Sequence, residues 1–457
     1  MSEQSVIEHV DYVVIGMGVA GESIAGPLAE SGARVVGVEA GLVGGECPYW
    51  GCIPSKMMIR AANTLAEARR VDGLAGTATV TPDWAPVAAR IREQATDNWD
   101  DKVAVDRFEG KGGIFVRGRA HFDGPERVVV GDRVFQAKLG VVIATGTTPA
   151  VPPIPGLDKV DFWTNHEIIE AEELPKSIIV LGAGAIGSEL SQVMARFGTQ
   201  VTIVEAQDQL LPLEEPESGA LLRATFEAEG ISVHAGVAAS SVHSDDNGIV
   251  VELTDGTELS AERLLVATGR RTDLAGLRVD TIGVIESQRF VPVDDHMRVT
   301  DRVWAVGDIT GKALFTHVGM YQAAIALADI ETGGNGPVAD YSSVPRVTFT
   351  DPEVGSVGMS EAGAREAGIN VSTAVVEVPG TARGWLHSSG NEGVIKLVAD
   401  ADRQVLVGAT SAGPNGGEVL SILTLAVHEA TPISRLRSMI YAYPTFHKGI
   451  EDALRQL

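Results

Sequence analysis

A chain of 457 residues is too long for one hydrophobic core and implies about three or four domains. Its hydrophobic content of 44% is that of a globular protein, while a formal net charge of −25 argues against nucleic acid and anionic membrane surfaces as partners. The start, Met1-Ser2-Glu3-Gln4, is polar and carries no targeting pattern, and no apolar run approaches the roughly 18 residues that span a bilayer, so the chain is expected in the cytoplasm.

In chain order, Asp11–Ile15 predicts a short buried strand. It runs into Gly16-Met17-Gly18-Val19-Ala20-Gly21, a helical stretch through Leu28, and a second strand, Arg34–Val38, ending in Glu39. This is a βαβ dinucleotide fingerprint. The glycines allow a tight turn and close approach of a pyrophosphate to the helix N-terminus, and the acid accepts from ribose hydroxyls.

Next comes Gly44-Gly45-Glu46-Cys47-Pro48-Tyr49-Trp50-Gly51-Cys52-Ile53-Pro54-Ser55-Lys56, which holds the only two cysteines of the chain. Two thiols are too few for a disulfide framework, and this His-poor loop offers too few ligands for zinc, so no metal is expected. A redox pair is the reading favoured; two buried, inert cysteines is the alternative. In a regular helix, residues five apart have Cα atoms about 8.7 Å apart, whereas a disulfide needs roughly 4.4–6.8 Å. The chain must therefore bend between Cys47 and Cys52, where Pro48 and Gly51 permit an irregular entry to a helix.

Residues 56–110 read as long helices. After the Val151–Gly156 turn the first pattern repeats: Ser177–Leu181, then Gly182-Ala183-Gly184-Ala185-Ile186-Gly187, a helix, and Val201–Val204 ending in Glu205. The interval from Gly16 to Glu39 is 23 residues, and from Gly182 to Glu205 it is also 23. Two units of identical internal spacing predict two bound nucleotides. With Glu205-Ala206-Gln207-Asp208 and no Arg or Lys to meet a 2′-phosphate, the second favours NADH over NADPH. Val142–Gly146 and Val266–Gly269, both carrying Ala-Thr-Gly, read as strands returning to each unit.

Taken together with Thr300–Asp308 and with Val344–Glu353, these motifs resemble those of the flavoprotein disulfide reductases, the group of dihydrolipoamide dehydrogenase, glutathione reductase and mercuric reductase. The resemblance covers nearly the whole chain. It implies an α/β protein with two Rossmann-like domains for FAD and NAD and an α+β dimerisation domain. The expected boundaries are 1–150 and 271–340 for the FAD-binding parts, 151–270 for the NAD-binding domain and 341–457 for the interface that pairs two chains.

The resemblance also implies site roles. Gly16, Gly18, Gly21 and Glu39 would hold the ADP half of FAD, with Gly45, Thr145, Gly146 and Gly307 beside it and Asp308 on the ribityl chain. Capping of a helix over 310–328 is the other reading of Asp308, alone or in addition. Gly182, Gly184, Gly187, Glu205 and Gly269 would hold NADH. Cys52 would be the thiol next to the flavin and Cys47 the thiol that attacks the substrate. Lys56, paired with Glu189, would place a cation near flavin N5. His317 occupies a place where the family often has a flavin-proximal His, and a backbone-bonded structural His is the alternative.

Two departures stand out. The family's disulfide reductases place a His-Pro-Thr near the C-terminus with a Glu five residues after the His; here stand Tyr443-Pro444-Thr445 and Lys448. A phenol is a poor base at neutral pH. Either His447 and Glu451, four apart on one helical face, supply a displaced dyad, or the acceptor needs no thiol base. Mercuric reductases also carry Tyr there but add a C-terminal cysteine pair, which the tail Ala453–Leu457 does not have. In the redox loop, Glu46 replaces the usual Thr and is expected to raise the Cys47 pKa. Tyr49 and Trp50 either pack or stack on a planar acceptor. The expected function is transfer of hydride from NADH to FAD and on through Cys47–Cys52 to a small-molecule disulfide. The alternative is an NADH-dependent reductase of quinones, metal ions or oxygen.

Overall fold

The computed structural model describes residues 7–246 and 248–457; the polar start Met1-Ser2-Glu3-Gln4 lies outside them. The chain divides into two compact units. The first takes residues 7–54, Arg90–Pro149 and Arg270–Tyr341; the second takes Ser55–Ala89, Ala150–Gly269 and Ser342–Leu457.

In the first unit an eight-stranded sheet runs Arg298–Thr300, Val303–Ala305, Arg133–Ile143, Ile7–Ile15, Val35–Glu39, Ile114–Arg117, and the strands Arg127–Val130 and Ala120–Phe122 branch from Arg133–Ile143. The strands from Val303–Ala305 to Ile114–Arg117 are parallel. A parallel sheet is covered on both faces, and Val13, Val14 and Ile15 show it. Val13 and Ile15 pack with Phe122, Phe135 and Ile143 on one side, while Val14 packs with Met17, Ile24 and Trp304 on the other. Ile7–Ile15 lies between Val35–Glu39 and Arg133–Ile143, and the chain leaves it toward opposite sides of the sheet, so the strand order reverses beside Gly16, the place where open α/β sheets bind ligands. The helix Thr316–Thr332 is fastened through fully buried Asp329, which accepts from Arg298 Nε at 2.6 Å and Trp304 Nε1 at 2.8 Å.

The second unit repeats the parallel motif on a smaller scale: Ser232–Ala235, Gln200–Glu205, Ser177–Leu181, Arg263–Val266. Gly182 again sits where the order reverses. A three-stranded antiparallel sheet, Ala239–Asp245 to Glu258–Ala261, adjoins it. A five-stranded antiparallel sheet built from residues 345–413 carries the helix Gly416–His428, with Leu420 and Leu423 packed in one core with Leu397 and Leu406.

Residues 56–110 are not the long helices expected. One 18-residue helix, Cys52–Arg69, is followed by Gly73, Gly76 and Pro82, which break it off; then come the short helix Ala85–Arg90, a π-turn Ile91–Ala95 and the helix Lys102–Gly110. The helix expected from Thr310 to Ala328 begins at Thr316, and Phe315 rather than Asp308 is its N-cap.

Lys396, on the buried strand Val394–Asp400, meets three carboxylates: Glu215 at 3.0 Å, Glu217 at 2.8 Å and Glu361 at 3.0 Å. Burial pulls its pKa down, but the bonds to Glu217, Glu215 and Glu361 outweigh that and hold it above the ordinary lysine value. A raised cationic pKa means the contribution is full below about pH 10 and fades only as pH climbs through the folded value. Lys396→Met leaves three clustered carboxylates without their cation. It should cost about 3–5 kcal/mol, read as a lower denaturant midpoint at pH 7; an unchanged midpoint would show that the glutamates relax into water.

Candidate active site

The two glycine-rich turns are built alike. At Gly16 φ is +94° and an added Cβ would lie 2.4 Å from Ala144 O; at Gly21 it would lie 1.9 Å from Gly16 O. At Gly182 φ is +99°, with a Cβ 2.5 Å from Ala267 O, and at Gly187 it would lie 2.0 Å from Gly182 O. Gly18 and Gly184 are the N-caps of Val19–Glu30 and Ala185–Arg196, and neither supplies a side-chain cap, so the first-turn N–H groups stay open to a pyrophosphate. Each strand-end glutamate is oriented by the turn it faces. Glu39 accepts from Met17 N at 2.8 Å and Gly41 N at 2.7 Å; Glu205 accepts from Ala183 N at 2.7 Å and Gln207 N at 2.9 Å. Carboxylate oxygens keep lone pairs beyond these bonds for ribose hydroxyls. The donor set fits a dinucleotide in each unit.

Beside the first turn, Gly45 (φ +67°) would bring a Cβ to 3.0 Å from Gly18 Cα, and Gly307 (φ +81°) to 3.2 Å from Ala20 Cβ. Both therefore let loops close onto the fingerprint. Thr145 and Gly146 (φ +63°) follow the strand Arg133–Ile143. Asp308 accepts from Thr147 Oγ1 at 3.0 Å, and burial pushes its pKa up. Thr147 also accepts from Arg270 Nε at 2.7 Å, and Arg270 Nη2 reaches Glu46 Oε2 at 3.2 Å. Gly269 (φ +117°) accepts from Ala150 N at 2.9 Å through its carbonyl. His317 is exposed, its ring stacked on Phe315 at 5.3 Å.

The cysteine loop bends as its geometry demands. A one-turn helix, Glu46–Tyr49, stops at Trp50 (φ −135°, ψ 11°); at Gly51 a Cβ would lie 3.0 Å from Glu46 O; the long helix then starts at Cys52. Both cysteines are thiols, hydrogen-bonded to each other, and Cys52 Sγ lies 3.2 Å from Thr316 Oγ1. The Cys47 pKa is pushed up, first by the bond to Cys52 and then by burial, with Thr316 opposing. The direction matches the expectation from Glu46 but the cause does not, because the Glu46 carboxylate is turned to Arg270. Cys52→Ala removes the leading cause, so Cys47 should titrate lower than in the reduced parent. The pH profile of its alkylation by iodoacetamide measures this, and an unmoved profile would assign the shift to burial alone.

In the second unit, Lys56 Nζ is 2.7 Å from Glu189 Oε2, and buried Glu189 uses its other oxygen to accept from Phe349 N at 2.8 Å. The ammonium also lies 4.7 Å from the Phe349 ring centroid. Near the C-terminus the structure brings Glu451 to Lys448 and Arg455, while the His447 ring lies 6.0 Å from that of Tyr441 and Tyr443 is 73% exposed. Sequence reading missed Thr316, Thr147, Arg270 and Phe349. Thr316 stands next to His317 and Arg270 next to Gly269, but no local pattern announces a hydroxyl on a thiol or a guanidinium that joins three segments. Among the described residues no group of His, Cys, Asp and Glu is arranged to hold a metal ion, and no helix is long and apolar enough to cross a membrane.

Comparison with known proteins agrees with this construction. Residues 10–328 match the pyridine nucleotide-disulphide oxidoreductase family, and residues 344–454 match the dimerisation domain of the same family, which points to a homodimer. The mercuric reductase of Acidithiobacillus ferrooxidans is 35% identical, over 98% of this chain and 82% of its own length. The dihydrolipoyl dehydrogenase of Thermus scotoductus is 33% identical over 98% of this chain and 97% of its own. Among solved structures, the HOCl-induced flavoprotein disulfide reductase RclA of Escherichia coli superposes with a TM-score of 0.85 at 26% identity, covering 97% of this chain and 99% of that one. Two dinucleotide turns, a dithiol and a family match along nearly the entire length leave one assignment: the chain belongs to the pyridine nucleotide-disulphide oxidoreductases, FAD-dependent NAD(P)H oxidoreductases of the disulfide reductase type.

Proposed function

We propose that this enzyme takes electrons from NADH and delivers them through Cys47 and Cys52 to a small-molecule disulfide. The observation that carries the reading is the hydrogen-bonded thiol pair, with Cys52 held by Thr316 and Cys47 lining an open cavity. Bound FAD supplies the chemistry that couples hydride transfer to two-electron disulfide reduction. The chain's own residues do the rest. The Gly16–Gly21 turn and Glu39 bind the flavin's ADP half; Gly182, Gly184, Gly187 and Glu205 bind NADH, with the Glu205 carboxylate disfavouring a 2′-phosphate. Lys56, its charge held in place by Glu189, supplies the cation that the family places at the flavin. The Cys47 thiolate attacks the acceptor disulfide, forming a mixed disulfide and releasing the first thiolate; Cys52 then attacks the Cys47 sulfur, releasing the second thiolate and closing the Cys47–Cys52 bond.

An anaerobic NADH titration of the yellow holoenzyme tests this. Uptake of four electrons per flavin, with a long-wavelength band at the two-electron stage, is the expected result; uptake of two with plain bleaching would sink it. A second reading, reduction of a metal ion or quinone, draws support from the C-terminus, where Glu451 is engaged by Lys448 and Arg455 and leaves His447 without a carboxylate from that residue to orient it. Under this reading the mercuric ion in one relative's name and the Cu(II) complex of RclA become relevant. His447→Ala tests whether the disulfide reading has its thiol base at that residue. A fall of about 10²-fold in disulfide turnover is expected of a thiol base, whereas unchanged turnover would remove His447 from that role.

A further inference from the structure

Cys47 opens onto a cavity of about 420 Å³ contained within the first unit. Its lining combines apolar residues, Val19, Val43, Ile53 and Val103, with charged ones, Glu22, Asp97, Asp100 and Arg107. Arg107 Nη2 lies 2.6 Å from Glu22 Oε1, so these two cancel and Asp97 and Asp100 remain as net negative charge. The nearby cations carry carboxylates of their own, Lys102 with Asp106 and Arg117 with Asp101, so that although Lys102 also feels Asp100 these pairs leave the net sign negative.

The turn that presents these carboxylates is held in an unusual shape. Asp97, Asn98 and Trp99 have φ of 48°, 56° and 57°, three consecutive non-glycine residues in left-handed backbone, one residue after the π-turn Ile91–Ala95. Left-handed backbone is disfavoured for residues with a Cβ, less so for Asp and Asn than for Trp. This turn places the exposed Asp97 and Asp100 in the lining of the cavity. The sign of the local field is also registered by Tyr49, which lines the same cavity. Its phenol is pushed above the ordinary value by burial and then by Asp101, Glu22 and Asp100, with only Arg107 opposing.

We propose that this cavity selects the acceptor by charge, admitting cationic disulfides to Cys47 in preference to neutral ones and excluding anionic ones, with Asp97 and Asp100 as the specificity-determining residues. This rests on the proposed role of Cys47 as the attacking thiol and narrows the substrate class of that same site. Low-dielectric walls lined by one sign of charge concentrate ions of the other sign, with effects on association from about tenfold upward at low salt.

The test reads Cys47 directly. In the FAD-loaded Cys52→Ser enzyme Cys47 is the single thiol of the chain. It is treated with methanethiosulfonates bearing trimethylammonioethyl, methyl or sulfonatoethyl groups. In each case the thiolate attacks the sulfenyl sulfur, a mixed disulfide forms and methanesulfinate leaves. Rates are divided by those for free 2-mercaptoethanol, which removes the reagents' own reactivity. The expected order is cation, neutral, anion, spanning on the order of tenfold at low ionic strength and collapsing in 0.5 M salt as the Debye length shrinks to about 4–5 Å. Asp97→Asn with Asp100→Asn should flatten the order. A flat or inverted order, or one that survives the double substitution, overturns the proposal.

Turnover of the wild-type enzyme with cystamine, hydroxyethyl disulfide and dithiodipropionate provides the second measurement, independent of any Cys52 variant. Higher kcat/KM for cystamine supports charge selection, and preference for the dianion overturns it while leaving disulfide reduction standing. If no disulfide turns over but the trapping order holds, the disulfide reading fails and the charge filter at Cys47 survives.

Discussion

Cys47→Ser should lower disulfide turnover by at least about 10³-fold and cut electron uptake from four to two per flavin. Serine preserves most of the volume and a hydrogen bond to Cys52, so the loop and its bend at Trp50–Gly51 should persist. What is lost is a sulfur able to attack and to be attacked: an alcohol with a very high pKa forms no disulfide with Cys52 or with the acceptor. Flavin content and the rate of flavin reduction by NADH should stay within about twofold, because Cys47 lies outside both glycine-rich turns. Quinone reduction measured in parallel carries the decisive contrast. Its survival beside dead disulfide turnover assigns Cys47 to disulfides, whereas undiminished disulfide turnover would show that electrons leave by another route. The pair also has an internal asymmetry. The bond to Cys52 leads the rise in the Cys47 pKa and Thr316 opposes it, and Cys47 but not Cys52 lines the cavity, so the two single substitutions should not be equivalent.

What was legible in the sequence follows from how local each constraint is. The dinucleotide turns were readable because glycine is required there by backbone sterics within a few residues: Gly21 faces Gly16 O, and Gly187 faces Gly182 O. The α/β character followed from the same two units, whose glutamates close back on their own turns after 23 residues. The Cys47–Cys52 contact was readable because five residues leave little freedom. Long-range partners were not. Arg270 reaches Thr147 across more than a hundred residues, and Glu46 answers Arg270 rather than Cys47, which reversed the reason for a pKa shift whose direction was foreseen. Helix boundaries between residues 70 and 100 differ from the expectation because Gly73 and Gly76 each weaken a helix and Pro82 breaks one, and together they keep Cys52–Arg69 from continuing. Nor does any pattern reveal that Asp97, Asn98 and Trp99 adopt left-handed backbone, since Trp has no propensity for it.

Because the two turns are separately built, they should fail separately. At Gly187 an added Cβ would lie 2.0 Å from a backbone oxygen, which no side-chain rotation relieves, so Gly187→Ala must push the helix Ala185–Arg196 away from the strand that precedes it. The open N–H groups at Gly184 and the Glu205 carboxylate then lose their register. A displacement near 1 Å is enough to cost about 10²-fold in the efficiency of reduction by NADH. Gly187 belongs to the second unit and the Gly16–Gly21 turn to the first, so this variant should purify yellow, with a full complement of FAD, and accept electrons normally from dithionite. Gly21→Ala makes the same collision with Gly16 O at 1.9 Å and should instead emerge depleted of flavin. The informative result is the crossing of the two phenotypes. If Gly187→Ala also lost its FAD, the clash would be spreading through the fold as general instability and the assignment of one nucleotide to each turn would lose its support. If Gly187→Ala kept both its flavin and its full rate with NADH, the second turn would not be where NADH binds, and Glu205 would lose its place in the choice between NADH and NADPH.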